Sequence, residues 1–185
     1  MNTKSSRWNI SNLLSLSRII FLFPTVVLLF LRIPETKIFV IILFLISVAT
    51  DFFDGYFARK FNQVTEFGKI LDPLSDKICI TGIMSALVFL GNIPLWFFFV
   101  IIIRDALILL GGVYLQSKKS IVLQSNNLGK WAVTVVAFTI FLSFLENKFT
   151  NQIFEYFLVL SSIMLLLSLI VYWQRFSKIM KGNTN

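Results

Sequence analysis

The chain is 185 residues long, 57% hydrophobic and only 14% charged, and it holds 21 phenylalanines. A soluble domain of that size has too little interior to hide so much apolar surface, so the composition points to a membrane protein. The formal net charge of +8 comes without a basic run interleaved with aromatics, which argues against nucleic acid as a partner. The lack of histidine removes the commonest general base and histidine-based zinc sites, and the single Cys79 removes an internal disulfide.

The stretch ahead of the first apolar run, SSRWNISNLLSLSR, mixes polar and apolar residues. It predicts a short interfacial helix, with Trp8 at headgroup level and Arg7 near lipid phosphates. The first apolar run continues past any small-residue cleavage pattern, so no cleavable signal peptide is expected. A helix needs about 20 apolar residues to cross the hydrocarbon. Six segments qualify, at 13–31, 37–57, 68–90, 94–115, 129–146 and 152–173. The runs are continuous, not alternating, which disfavours a barrel. The expected fold is all-α: one polytopic membrane domain over residues 1–185, with six transmembrane helices and the N-terminal interfacial helix.

Loop charges orient that arrangement. With a cytoplasmic N-terminus, the cytoplasmic side receives eleven cations (Lys4, Arg7, Arg59, Lys60, Lys69, Lys118, Lys119, Lys130, Arg175, Lys178 and Lys181) and the opposite side three, Arg32, Lys37 and Lys148. The positive-inside bias puts both termini in the cytoplasm, together with the end of the second segment and the start of the third.

That cytoplasmic edge carries DFFDGYFARKFNQVTEFGKILDPLSD, residues 51–76, with four aspartates among the nine acidic residues of the chain. On a helix Asp51, Asp54, Gly55, Ala58 and Arg59 fall on one face, and on the next helix Gly68, Asp72 and Asp76 form one stripe. Ionised carboxylates at membrane depth cost several kcal/mol, on the order of the insertion penalties of charged residues, unless they are paired or metal-bound. Four anions in one small space need cations. All-oxygen ligands suit a hard ion, Mg²⁺ first and Mn²⁺ second, and four carboxylates can hold two ions with positions left for phosphate oxygens. Gly55 gives a nucleotide room to approach the backbone, Arg59 offers a fork of donors to a diphosphate, and Pro73 is expected to kink the third helix. The plainer alternative is an intramembrane salt-bridge cluster with Arg59, Lys69 and Lys77; for the glycines it is close helix packing.

The pattern D-x-x-D-G-x-x-A-R, then eight residues, then G-x-x-x-D-x-x-x-D resembles the signature of the CDP-alcohol phosphatidyltransferases. That resemblance implies a CDP-linked lipid such as CDP-diacylglycerol as donor, attack by an alcohol acceptor on the lipid-side phosphate, and release of CMP. By motif position it implies that Asp51, Asp54 and Asp72 hold one metal, and that Asp51, Asp72 and Asp76 hold the second. Asp76 also takes the proton of the acceptor hydroxyl. Gly55, Arg59 and Thr65 contact the CDP moiety. More loosely, SNLLSLSR resembles the segment that closes over the nucleotide, which adds Asn12, Ser15 and Arg18. For Asn12 and Ser15 the competing reading is helix capping or interfacial hydrogen bonding. The family also implies a homodimer.

The N-terminal NISNLLSLSRIIFLFP and the ARKFNQVTEFGKILDPLSDK block look most similar to bacterial phosphatidylglycerophosphate synthases, which implies glycerol 3-phosphate as acceptor and the bacterial inner membrane as location. A phosphate-bearing acceptor needs its own cations, and Arg104 in IIIRDALILL and Lys130 in NNLGKWAV are the candidates. The simpler readings are an Arg104–Asp105 pair and a positive-inside anchor at Lys130. Arg104-Asp105 departs from the Arg-Glu common at that point in those synthases. Phosphatidylglycerol, an inositol phosphate and serine are alternative acceptors, because the metal motif is shared by enzymes that use them. Outside the family, a prenyltransferase and a cation transporter compete. The transporter leaves Gly55, Ala58 and Arg59 unexplained.

Overall fold

The computed structural model describes residues 10–60, 66–119, 126–145 and 148–181, with the backbone alone at 10–12, 14, 51–60, 66–73, 119 and 148. Among the described residues there are six α-helices and no strand. They are α1 (Ile10–Leu31), α2 (Lys37–Lys60), α3 (Glu66–Phe89), α4 (Leu95–Lys119), α5 (Asn127–Ser143) and α6 (Lys148–Met180), with a 3₁₀ turn at Pro34–Thr36 between α1 and α2. The all-α class expected from the sequence is borne out. The chain divides into two compact units, Met1–Asn92 and Ile93–Asn185.

In the first unit α1 packs against both α2 and α3. Its buried face carries Ser15, Arg18 and Thr25, spaced by three and seven residues as one side of a helix requires. α2 contributes Val40 and Phe44 to the core, and α3 contributes Cys79, Ile83, Met84 and Leu87. Cys79 is thus a small core residue, as its sequence context implies. At Gly82 a Cβ would lie 2.9 Å from a Leu22 methyl, so the missing side chain is what lets α1 and α3 approach closely. Of residues 5–18, where the sequence placed an interfacial helix, 10–18 form the start of α1, while 5–9, with Arg7 and Trp8, lie outside the described residues. Polarity changes along this stretch, but no glycine or proline interrupts it before Pro24. Thr25 sits just after Pro24 and donates its hydroxyl to the Phe21 carbonyl at 2.7 Å.

α3 ends in a Schellman cap. Gly91 stands at φ +79°, Asn92 N–H donates to the Leu87 carbonyl at 2.9 Å, and Gly91 N–H to that of Val88 at 3.0 Å. Arg32, itself left-handed at φ 50°, donates to the Leu90 carbonyl at 2.6 Å and so satisfies another acceptor at that helix end.

In the second unit α6 packs against both α4 and α5. The α5–α6 contact uses small hydroxyls and an aromatic pair. Thr139 donates to the Val135 carbonyl at 2.8 Å and lies 3.5 Å from the Ser161 hydroxyl, and the Phe138 and Phe157 rings are 4.7 Å apart. On the α4 side, Tyr172 lies across Gly111, where a Cβ would be 2.9 Å from Oη, and donates to the Ile108 carbonyl at 2.8 Å.

Two helices are long and apolar enough to cross a bilayer among the described residues: Leu95–Lys118 with 24 residues and Phe149–Met180 with 32. They match two of the six predicted segments, and the other helices occupy the remaining four as helices. α6 is apolar around most of its circumference, with Leu160, Ile163, Leu166, Leu167 and Ile170 exposed. A helix of that kind is stable against lipid or inside a large core, not facing water.

Candidate active site

The acidic residues that the sequence singles out lie on two helices of the first unit. Asp51, Asp54, Gly55 and Arg59 fall in the last three turns of α2, and Asp72 and Asp76 in the first half of α3. The helical register puts Asp51 and Asp54 on one side of α2, and Asp72 and Asp76 on one stripe of α3. The side chains of Asn12, Asp51, Asp54, Arg59 and Asp72 lie outside the described residues, as does Thr65 entirely. Gly55 is described only as helical backbone.

Asp76 is described, and it has a partner. Arg18 of α1 extends its guanidinium onto the Asp76 carboxylate across 58 residues of sequence. The Arg18 side chain is 2% exposed and that of Asp76 is 37%, so the cation of the pair is buried and the anion partly exposed. A buried guanidinium needs an anion against it, because an unpaired buried charge is costly by several kcal/mol, on the order of 3–5. The sequence marked Arg18 as a functional cation in an apolar run but assigned it to the lipid nucleotide. It also looked to Arg59, Lys69 and Lys77 for partners of the aspartates, and the contact with Asp76 is one that spacing did not reveal. Ser15, one turn before Arg18, is fully buried on the same face. Among the described residues no three acidic or sulfur ligands converge. Three of the four carboxylates in question lie outside the described side chains.

In the second unit Arg104, one of the other two predicted cations, comes near the helix turn that precedes the second, Lys130. Arg104 lies on α4, 11% exposed, and donates through Nη1 to Asp105 Oδ1 at 2.7 Å. Its opposite edge faces α6, where Nε and Nη2 donate to the Ser168 hydroxyl at 3.2 and 3.1 Å. The same guanidinium reaches the first turn of α5: a Cβ on Gly129 would lie 3.2 Å from Nη2. Asn126 caps that turn by accepting from Gly129 N–H. Lys130, the next residue, is exposed. A guanidinium thus stands beside a helix N-terminus, where amide N–H groups and the dipole favour an anion. The Arg104–Asp105 pair proposed as the simpler reading exists, and it takes up only part of the fork. Ser168 escaped the sequence reading. Its only signal is a hydroxyl inside the apolar run LLLSLIV, a group that must find a partner in such surroundings.

Comparison with known proteins adds to this geometry. The family model of CDP-alcohol phosphatidyltransferases matches residues 8–174. Proteins named CDP-diacylglycerol–glycerol-3-phosphate 3-phosphatidyltransferase are similar over shorter stretches. One from Mycoplasma pneumoniae is 42% identical over 93 residues, covering 50% of this chain and 40% of the relative. One from Aquifex aeolicus is 40% identical over 113 residues, covering 60% and 62%. One from Cereibacter sphaeroides is 31% identical over 146 residues, covering 75% and 64%. In each case the chain spans less than two thirds of the relative's own length.

Proposed function

This chain belongs to the CDP-alcohol phosphatidyltransferase family, and on that premise we propose that it transfers a phosphatidyl group from CDP-diacylglycerol to glycerol 3-phosphate, forming phosphatidylglycerophosphate and releasing CMP. The observation that carries the reading is the complete aspartate motif of residues 51–76 within the 8–174 family match. The acceptor follows from the relatives' names, all three of which specify glycerol 3-phosphate.

The donor set fits hard divalent ions. It consists of acidic oxygens, and the one described member, Asp76, already faces a buried cation. Asp51, Asp54 and Asp72 would hold one ion, and Asp51, Asp72 and Asp76 a second, with Mg²⁺ preferred to Mn²⁺. When bound, the ions supply charge neutralisation to the diphosphate and its leaving group. The rest is the work of the protein's own residues. Gly55 leaves room for the nucleotide, and Arg59 and Arg18 offer donors to the diphosphate, with Asn12, Ser15 and Thr65 as further contacts. Arg104 and Lys130 receive the acceptor's phosphate. Asp76 takes the proton from the acceptor hydroxyl, whose oxygen bonds to the lipid-side phosphorus as the bond from that phosphorus to CMP breaks. Arg18 holds Asp76 in place between turnovers.

The same reading makes the chain an integral protein of the bacterial inner membrane. It has six spans, an active site and both termini in the cytoplasm, and it works as a homodimer. The eleven-to-three distribution of loop cations supports the orientation. The activity test is incubation of the full chain in detergent with CDP-diacylglycerol, labelled glycerol 3-phosphate and Mg²⁺. Release of CMP with label entering the lipid phase is expected. CMP release only with phosphatidylglycerol, inositol phosphate or serine would replace the acceptor, and no CMP with any of them would remove the reading. Cysteine accessibility at residue 4 and residue 181 in sealed vesicles tests the orientation, and crosslinking in the membrane tests the dimer.

A further inference from the structure

We infer that Ser168 is a positioning residue: its hydroxyl aims the Arg104 guanidinium at an anionic pair of oxygens, and Gly129 leaves the space in which the fork lies. The inference rests on the reading of Arg104 as the group that receives the acceptor's phosphate. Ser168 is 1% exposed. Its hydroxyl donates to the Leu165 carbonyl at 2.8 Å, which fixes the direction of its lone pairs, and it accepts from Nε and Nη2 of Arg104 at 3.2 and 3.1 Å. Asp105 holds Nη1 at 2.7 Å. These contacts use three of the five N–H donors of a guanidinium. One donor each remains on Nη1 and Nη2, and these charged N–H groups are what the guanidinium can still offer to phosphate oxygens.

Gly129 matters for the same reason. A Cβ there would lie 2.6 Å from Asn126 Oδ1 and 3.2 Å from Arg104 Nη2, so any side chain would press on both the cap and the fork. A long arginine on an apolar helix has many rotamers. Clamped along one edge by a serine on the neighbouring helix and at one end by Asp105, this one is held with Nη2 beside the start of α5. Pre-orientation of that kind strengthens anion binding without adding a contact to the ligand.

The test measures binding of inorganic phosphate to the full chain in detergent, by calorimetry, for the wild type, Ser168→Ala, Ser168→Thr and Ser161→Ala. Ser161 is the control. It is a second fully buried serine of α6 that donates to a carbonyl three residues back, Leu158 at 3.1 Å, and it faces α5 instead of Arg104. Ser168→Ala is expected to weaken phosphate binding at least fivefold, while Ser168→Thr, which keeps the hydroxyl, and Ser161→Ala stay within twofold of the wild type. In the transfer assay the same Ser168→Ala protein is expected to raise KM for glycerol 3-phosphate by a similar factor, with KM for CDP-diacylglycerol unchanged. Wild-type affinity in Ser168→Ala, or equal losses in Ser168→Ala and Ser161→Ala, would overturn the inference. So would a wild type that binds no phosphate. If phosphate binding responds as expected but no preparation releases CMP, the transfer reading fails and the role of Ser168 stands.

Discussion

The two units treat buried charge in opposite ways. Around α3 of the first unit the charge is dense: four aspartates lie within 26 residues, and the one whose side chain is described needs an arginine from another helix against it. Around α4 of the second unit the charge is sparse. One arginine is shared between its sequence neighbour Asp105 and a serine 64 residues away, with a glycine making room. Dense charge suits ions and a reacting centre, because each carboxylate demands a cation. Sparse, clamped charge suits recognition of a single anion, because the price of orienting the fork has already been met within the fold.

The sharpest way to break that contrast is at Asp76. Asp76→Asn keeps size and removes the basic oxygen, so kcat is expected to fall by about 10³-fold or more, in line with the loss of a general base. Nucleotide binding, followed by CMP or CDP-lipid titration, is expected to hold within a few fold. Substantial turnover in Asp76→Asn would reassign the proton acceptor.

At Arg104 the effect is expected to be smaller and confined to one substrate. Arg104→Lys keeps the charge but loses the fork and both bonds to Ser168. KM for glycerol 3-phosphate is expected to rise by about 10- to 100-fold, the cost of one or two charge-assisted hydrogen bonds. KM for CDP-diacylglycerol is expected to stay within twofold. An equal rise for both substrates would mean that Arg104 serves the fold and not the acceptor.

The Arg18–Asp76 pair predicts a coupling in stability. Arg18→Met and Asp76→Asn each strand a partner at the α1–α3 contact. The double variant is therefore expected to lose less than the sum of the two, with an interaction of about 1 kcal/mol or more read from unfolding in detergent. Strict additivity would show that the two side chains do not depend on each other in the folded protein.

How legible these features were in the sequence follows from distance along the chain. The aspartate stripes could be read directly, because spacings of three and four convert to a helix face with no tertiary knowledge. Arg18 and Arg104 could be flagged as charges in apolar runs. Their partners could not, since Asp76 is 58 residues from Arg18 and Ser168 is 64 from Arg104, and nothing local distinguishes Ser168 from the other hydroxyls of α6. The merging of the expected interfacial helix into α1 was hidden for a related reason. A change in polarity marks where a helix meets a new environment, not where its hydrogen bonds stop.

The smallest expected effect compares close helix contacts in the two units through their glycines. In Gly82→Ala the new methyl meets only the tip of Leu22, at 2.9 to 3.4 Å, and a leucine end can swing aside. The gain in helix propensity, about 1 kcal/mol, offsets much of the crowding. In Gly111→Ala the methyl meets Tyr172 Oη at 2.9 Å and its ring at 3.1 Å. That ring is rigid, and its hydroxyl is tied to the Ile108 carbonyl at 2.8 Å, so relief breaks a hydrogen bond as well as shifting α6. Overpacking of about 1–3 kcal/mol plus a lost bond of about 1 kcal/mol exceeds the propensity gain. Gly111→Ala is therefore expected to lower the unfolding midpoint in detergent clearly, and Gly82→Ala to leave it nearly unchanged. Adding Tyr172→Phe to Gly111→Ala removes the oxygen that collides. The double variant is expected to recover part of the loss, which separates the steric cost from the cost of the hydrogen bond.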